Sequence, residues 1–308
     1  MVAVGIVVLP QDRWEVGRRK WLLAEEWGFD HAWTYDHLAW RTLVDQPWFA
    51  TVPLLAAAAA VTERIGLGTF VASPNFRHPV PFAKDVMGLD DISGGRFVLG
   101  IGAGGEGLDS WVAGDPISRG ERTRRFEEFV ALMDTLLTTP VTEHEGEFYR
   151  ADGARMIPGT LAEPRTPFVV AANGPRTMAL AARHGQGWVT YGQTFLSEGE
   201  GGDPVAEQEQ WWSGLAAMQA SVDEAVATHR PAGMPPLRRY LSLDGAPIFS
   251  MQSVDLVVEG IERAAALGFT DVIVHWPRAE GVYAGSPAVL DALAAQLPTF
   301  QALPVAAR

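Results

Sequence analysis

No cysteine occurs among the 308 residues, which removes disulfides, iron–sulfur clusters, thiolate zinc sites and a cysteine nucleophile in one step. Positive charge is also scarce: 24 Lys and Arg stand against 37 Asp and Glu, a formal net charge of −13. No basic run stands out, so a nucleic-acid partner, which needs a positive surface for its phosphates, is not expected. No apolar run approaches the roughly 20 residues a membrane-spanning helix needs, so no membrane partner is expected either. The alanine-rich stretch Leu54 to Val61 is far shorter and reads as a buried helix. The apolar N-terminus, Met1 to Leu9, lacks a basic lead-in and a small-residue cleavage site. It reads as a first strand rather than a signal peptide, and a cytoplasmic location is expected. None of the seven histidines forms the His-x-His pair usual in metal-dependent barrel hydrolases, so no metal site is expected.

What is present is enough apolar material, 47% of residues, to bury a full core. Short apolar runs alternate with helical patterns along the whole chain, which argues for βα units and a parallel sheet. Eight candidate strands can be counted: Val2–Leu9, His31–Tyr35, Ile65–Val71, Phe97–Ile101, Phe168–Ala172, Trp188–Tyr191, Arg239–Leu243 and Val272–His275. Between them, Arg13–Trp27, Ala50–Thr62, Val80–Ile92, Glu121–Leu137, Arg176–His184 and Val254–Ala266 repeat apolar residues at three- and four-residue spacing. Eight such units close a (β/α)₈ TIM barrel, and the length leaves room for insertions in the mouth loops Gly104–Gly120 and Gly192–Gln210. No linker separates independent domains, so residues 1–308 are expected to form a single barrel domain. Gly28 and Gly268 each precede a Phe and a strand, and suit the left-handed position that closes a helix.

In a barrel the working residues lie just past the C-terminal ends of the strands. Strand two ends Tyr35-Asp36-His37, followed by Leu-Ala-Trp40, placing an acid, an imidazole and an aromatic wall together. A histidine suits proton transfer near neutral pH and a neighbouring carboxylate can fix its tautomer; a histidine that merely caps the strand is the alternative. His275 ends strand eight in the same way. Strand three runs through glycines into Ser73-Pro74 and Arg77-His78-Pro79, which signals an irregular strand end, with Arg77 and His78 read as pairing with the next helix in preference to a catalytic role. Gly100-Ile-Gly-Ala-Gly-Gly105 has the formal spacing of a dinucleotide fingerprint, but no helix opens at the third glycine, so it reads as a mouth loop. Asn173-Gly-Pro-Arg-Thr177 opens a helix, and its N-terminus with Arg176 and the Thr177 hydroxyl can hold a phosphate or be an ordinary capped start. Trp40, Trp48, Phe70, Tyr191, Phe195 and Trp276 are apolar mouth candidates, and the acidic stretch Ser197 to Asp203 reads as solvated loop.

At these residues the chain resembles the luciferase-like monooxygenase superfamily. The resemblance rests on Glu26-Trp-Gly-Phe-Asp through Asp36-His37, Gly68 through Pro79, Asp90-Asp-Ile-Ser-Gly-Gly-Arg-Phe-Val-Leu-Gly-Ile-Gly102 and Asn173-Gly-Pro-Arg176. It implies a TIM barrel that moves a hydride between coenzyme F420, a deazaflavin, or FMN and a small apolar molecule, often as a homodimer. An FMN-dependent monooxygenase and a non-catalytic flavin-binding protein are the alternatives it leaves. The resemblance makes His37, Asp36 and Glu106 the catalytic candidates. It gives the cofactor Phe70, Val71, Ala72, Ser73, Gly104, Asn173, Gly174, Pro175, Arg176, Thr177 and Tyr191, with a non-prolyl cis peptide at Phe70–Val71. Trp40, Asp109, His275 and Trp276 are left to the substrate. An extra glycine at Gly104-Gly105 departs from the family pattern beside Glu106, and no lysine stands where some relatives hold a sugar phosphate.

Overall fold

The structure is a computed structural model and describes residues 1–105, 107–112, 117–193 and 203–307. Glu106, Phe195 and the acidic stretch from Ser197 to residue 202 lie outside the described residues. Ten strands are described: β1 (Ala3–Val7), β2 (His31–Thr34), β3 (Gly66–Thr69), β4 (Phe97–Ile101), β5 (Val141–Glu145), β6 (Arg150–Arg155), β7 (Phe168–Ala171), β8 (Gly187–Thr190), β9 (Arg238–Ser242) and β10 (Asp271–His275). Eight of them close a barrel in the order β1-β10-β9-β8-β7-β4-β3-β2, while β5 and β6 form a separate two-stranded sheet. The eight barrel strands are the eight apolar runs of the sequence, each within two residues of its expected ends. The helices are α1 (Trp14–Trp27), α2 (Thr51–Val61), α3 (Pro79–Ser93), α4 (Leu108–Val112), α5 (Arg119–Thr138), α6 (Pro175–His184), α7 (Pro204–His229), α8 (Val254–Ala266) and α9 (Pro287–Gln301). The last seven residues of the expected insertion Gly192–Gln210 are not loop, because Asp203 caps α7 and Pro204 opens it. Gly28 and Gly268 adopt φ of 90° and 88°, the left-handed turn their place before a strand requires.

Two compact units divide the chain. The first comprises Met1–Val8, Ala24–Ala32 and the described residues from Ala172 onward. In it β1 runs parallel to β10 in register from Ala3↔Asp271 to Val7↔His275, and β9 continues the sheet with Tyr240 beside Asp271. Val4, Ile6, Val272, Ile273 and Val274 are fully buried, the continuous apolar character of a parallel strand covered on both faces. One polar knot sits within this core. His31 Nε2 lies 3.0 Å from Asp271 Oδ1, the Arg238 guanidinium grips the same carboxylate, and Thr270 donates to it at 2.7 Å. Each charge is thus paired, as burial requires. The ring of His31 fits only because β1 has Gly5 there: a Cβ at that position would fall 1.9 Å from His31 Nδ1.

The second unit comprises Leu9–Leu23 and Trp33–Ala171. Here β4 joins β3 on one side and β7 on the other. α5 starts two residues before its expected first residue because Ser118 and Glu121 form a capping box. Its Phe126, Phe129, Val130, Met133 and Leu137 are buried at helical spacing. The β5–β6 hairpin packs beside it. Glu128 of α5 accepts from the backbone N–H groups of Phe148 and Tyr149 and pairs with His144, which ties the hairpin to the helix. Among the described residues no helix is long and apolar enough to cross a membrane.

Candidate functional site

In the second unit the C-terminal ends of β2, β3 and β4 carry the first group of candidate residues. The expectation that Asp36 orients His37 is corrected. Asp36 is buried, and both its oxygens are taken by the guanidinium of Arg77, one contact measuring 2.7 Å. Adjacent residues on an extended segment point to opposite sides, so Asp36 and His37 address different partners. The carboxylate on His37 belongs to Asp109: its Oδ2 lies 2.5 Å from His37 Nδ1, and its Oδ1 accepts the Leu38 N–H at 2.8 Å. An ionised carboxylate only accepts, so this contact suits a proton on Nδ1. The His37 side chain keeps 26% of its surface open against 10% for Asp109, so the imidazole faces outward over the acid. The Trp48 indole donates to the His37 carbonyl at 2.7 Å. Sequence reading placed Asp109 toward the substrate; the structure brings it onto the histidine instead.

Around this pair stands the aromatic wall that the sequence indicated. Tyr35 meets His37 edge-on at 6.0 Å and Trp40 at 5.2 Å, and stacks on Phe70 at 6.3 Å. β3 stops at Thr69, and the peptide Phe70–Val71 is cis, as the resemblance implied. The chain then returns to β4, with Ala72 N–H on the Gly100 carbonyl and Gly102 N–H on the Ala72 carbonyl, each at 2.8 Å. Phe70 and Val71 stay partly open, whereas Ala72 and Ser73 are buried, Ser73 accepting from Asn75 N–H to start the next turn. Arg77 lies over the rings of Phe76 and Phe82, and His78 caps α3, so both are structural as expected.

Asn75 escaped the sequence reading. It is buried, its Oδ1 accepts from Arg125 of α5 at 2.5 Å, and its Nδ2 donates to the Gly105 carbonyl at 3.1 Å. Gly104 has φ of 73°, and a Cβ there would meet Asn75 at 2.5 Å, so only glycine lets the loop close on this amide. The loop thus held leads into α4 and Asp109. A polar residue between a proline turn and an aromatic, inside an expected strand end, was the one available signal. Burial pushes the Arg125 guanidinium down, against the pull of Tyr149 and with the push of Arg122.

In the first unit the remaining candidates divide into two groups. At the start of α6, Gly174 is the N-cap, Pro175 the first helical residue, and Arg176 is exposed. Asn173 is occupied locally: Thr190 Oγ1 donates to its Oδ1 at 2.7 Å and its Nδ2 donates to the Gly192 carbonyl at 3.3 Å. The Thr177 hydroxyl, expected to face a phosphate, donates instead to the Gly174 carbonyl at 3.0 Å. Tyr191 is half exposed, its carbonyl held by the Trp211 indole at 2.9 Å. In the other group, His275 is buried; its Nδ1 lies 2.9 Å from Asp244 Oδ2 and its ring stacks on Tyr283 at 3.9 Å. Trp276 stacks on Trp27 of α1 at 5.5 Å. Both are engaged in packing.

Comparison with known proteins adds to this geometry. Residues 9–208 match the family model described as luciferase-like monooxygenase. An F420-dependent glucose-6-phosphate dehydrogenase of Beutenbergia cavernae is 31% identical over 304 residues, covering 84% of this chain and 86% of the relative. A 5,10-methylenetetrahydromethanopterin reductase of Archaeoglobus fulgidus is 31% identical over 167 residues, covering 54% of this chain and 46% of the relative. A monooxygenase from Streptomyces bottropensis shares the fold, with a TM-score of 0.74 and 21% identity over 97% of both chains.

Proposed function

The chain belongs to the luciferase-like monooxygenase family, and from that premise we propose that it moves a hydride between coenzyme F420, or a flavin, and a small, largely apolar organic molecule. The observation that carries the reading is the outward-facing His37 past the end of β2, paired with Asp109 and met by Tyr35, whose ring also stacks on Phe70. Coenzyme F420 is preferred because the Beutenbergia cavernae relative bears an F420-dependent name.

The residues present fit such a cofactor. Phe70 and Val71 offer a partly open apolar edge, and a Cβ on Gly105 in the neighbouring loop would meet nothing within 4 Å. Separately, the start of α6 suits an anionic group: a Cβ on Gly174 would meet nothing within 4 Å, the dipole end is positive, and Arg176 is exposed beside it. When bound, the deazaflavin or flavin supplies the acceptor or donor of a hydride. The protein's own part is to hold the substrate against that ring and to take or return the accompanying proton at His37 Nε2.

Substrate polarity follows from what flanks His37 and Asp109. Leu38, Leu108 and Trp111 are 42%, 38% and 65% exposed, large apolar side chains left open where the chemistry lies. Lysine is represented only by Lys20 and Lys84, on α1 and α3, and Lys20 is paired with Asp12 at 2.6 Å. A sugar phosphate therefore fits less well than an apolar alcohol, imine or electron-poor alkene. A cytoplasmic homodimer completes the proposal on the strength of the family resemblance.

The test is to follow the absorbance of oxidised F420 while apolar secondary alcohols and glucose 6-phosphate are offered as hydride donors, and reoxidation of reduced F420 by enones and imines. Turnover with members of the apolar panel, and little with the sugar phosphate, is the expected result. No turnover in either direction would remove the reading.

A further inference from the structure

We propose that Asp109 is a positioning residue for the reaction: it locks His37 in the tautomer that leaves Nε2 as the single nitrogen able to exchange a proton with the substrate. The inference rests on the function proposed above for its catalytic consequence, and on geometry alone for the tautomer.

The argument is one of matching donors to acceptors. Two donors converge on the Asp109 carboxylate, the His37 Nδ1–H at 2.5 Å and the Leu38 N–H at 2.8 Å, one on each oxygen. Leu38 N–H is a backbone donor that cannot reverse its role, so the group facing both must accept twice, and only a carboxylate does so without internal conflict. The carboxyl is 10% exposed and both oxygens have a partner in this pair, which leaves it poorly placed to bind a substrate polar group directly. Its charge has a second use. When a substrate hydroxyl releases its proton as the adjacent carbon gives up a hydride to the cofactor, that proton moves onto Nε2, and the positive ring that results lies against the carboxylate. In the opposite direction the same proton returns to the substrate oxygen.

Arg125 of α5 donates to Asn75 and Asn75 donates to the Gly105 carbonyl, while Asp109 is the second residue of α4. The acid is 72 residues from His37 in sequence, so the fold and not local chain geometry makes the pair.

Asparagine at position 109 makes the proposal testable, because its side chain has one acceptor and one donor end. If its oxygen stays on the Leu38 N–H, its NH₂ faces Nδ1 and forces the other tautomer; if it turns, two donors collide at Leu38. Nitrogen-15 NMR of the imidazoles in the cofactor-free protein reads the tautomer directly, with the His37 signal identified by its loss in His37→Gln. We expect the Nδ1–H form in the wild type, a switch toward Nε2–H in Asp109→Asn, and a mixture of both in Asp109→Ala. With F420 and a turned-over substrate, Asp109→Asn should lower kcat on the order of a hundredfold with KM little changed, and Asp109→Glu should recover part of the loss. A wild-type tautomer unchanged in Asp109→Asn, with circular dichroism confirming the fold, would overturn the proposal. So would a rise in KM at unchanged kcat, which would return Asp109 to the substrate. The NMR arm needs no cofactor, so its outcome stands apart from whether the oxidoreductase reading holds.

Discussion

At the scale of single side chains, two substitutions separate the proposed function from folding. His37→Ala removes the group proposed to exchange the proton. It should cut hydride transfer roughly a hundredfold or more while leaving F420 affinity close to wild type, as steady-state kinetics and a binding titration can show. Gly5→Ala acts on the fold alone. Its new methyl would sit 1.9 Å from the His31 ring inside the Asp271–Arg238 knot, and overpacking of this kind costs about 1–3 kcal/mol. Urea unfolding should record that loss, and an unchanged midpoint would mean that the ring moves aside freely. The residues also show where sequence reading stops. His37 was legible from its place at a strand end, whereas its partner was assigned to the adjacent Asp36. The alternation of an extended chain argues against that pairing, but finding Asp109 instead required the fold to bring a distant loop back.

Among the elements, the barrel strands were legible because each is a short, nearly continuous apolar run bounded by turn residues. The β5–β6 hairpin was not: Val141-Thr-Glu-His-Glu145 and Arg150-Ala-Asp-Gly-Ala-Arg155 are largely polar and exposed, and their pairing depends on Glu128 in α5. Burial pushes the Glu128 carboxyl up, but the hydrogen bonds from His144, Phe148 and Tyr149 more than offset it and hold it below its usual value of 4.5. A depressed carboxyl contributes stability above its unfolded value, and that contribution fades as pH falls from about 4.5 through the lower folded value. The protection factors of the hairpin amides, taken against the intrinsic exchange rate at each pH, should therefore fall over that acid range in the wild type. In Glu128→Gln they should already be lower at neutral pH and depend less on acid. At α6, Arg176→Ala should weaken binding of an anionic cofactor by about tenfold, or ~1.4 kcal/mol, and salt should reduce the difference. Equal affinities at low salt would show that the anion is held elsewhere. The α6 start was readable from Asn173-Gly-Pro-Arg176, but the inward turn of the Thr177 hydroxyl was not, because a threonine can serve its own backbone or a ligand equally well.

For the molecule as a whole, family membership and barrel strand order agree with the alternation of apolar runs and helices along the chain. Composition narrows the chemistry further: there is no cysteine, and lysine is confined to Lys20 and Lys84, which leaves a thiol out and most positive charge to arginine. An apolar mouth was expected from Trp40, Trp48, Phe70, Tyr191, Phe195 and Trp276, but the exposed Leu38, Leu108 and Trp111 read as ordinary apolar residues in sequence.

The most direct test of the account is an equilibrium titration of the purified protein with coenzyme F420 and, separately, with FMN, followed through cofactor fluorescence. Saturable F420 binding that is stronger than FMN binding and weakened in Arg176→Ala is the predicted result. Preference for FMN would contradict the deazaflavin assignment and direct attention to oxygen chemistry. Binding of neither cofactor would contradict the account at its centre.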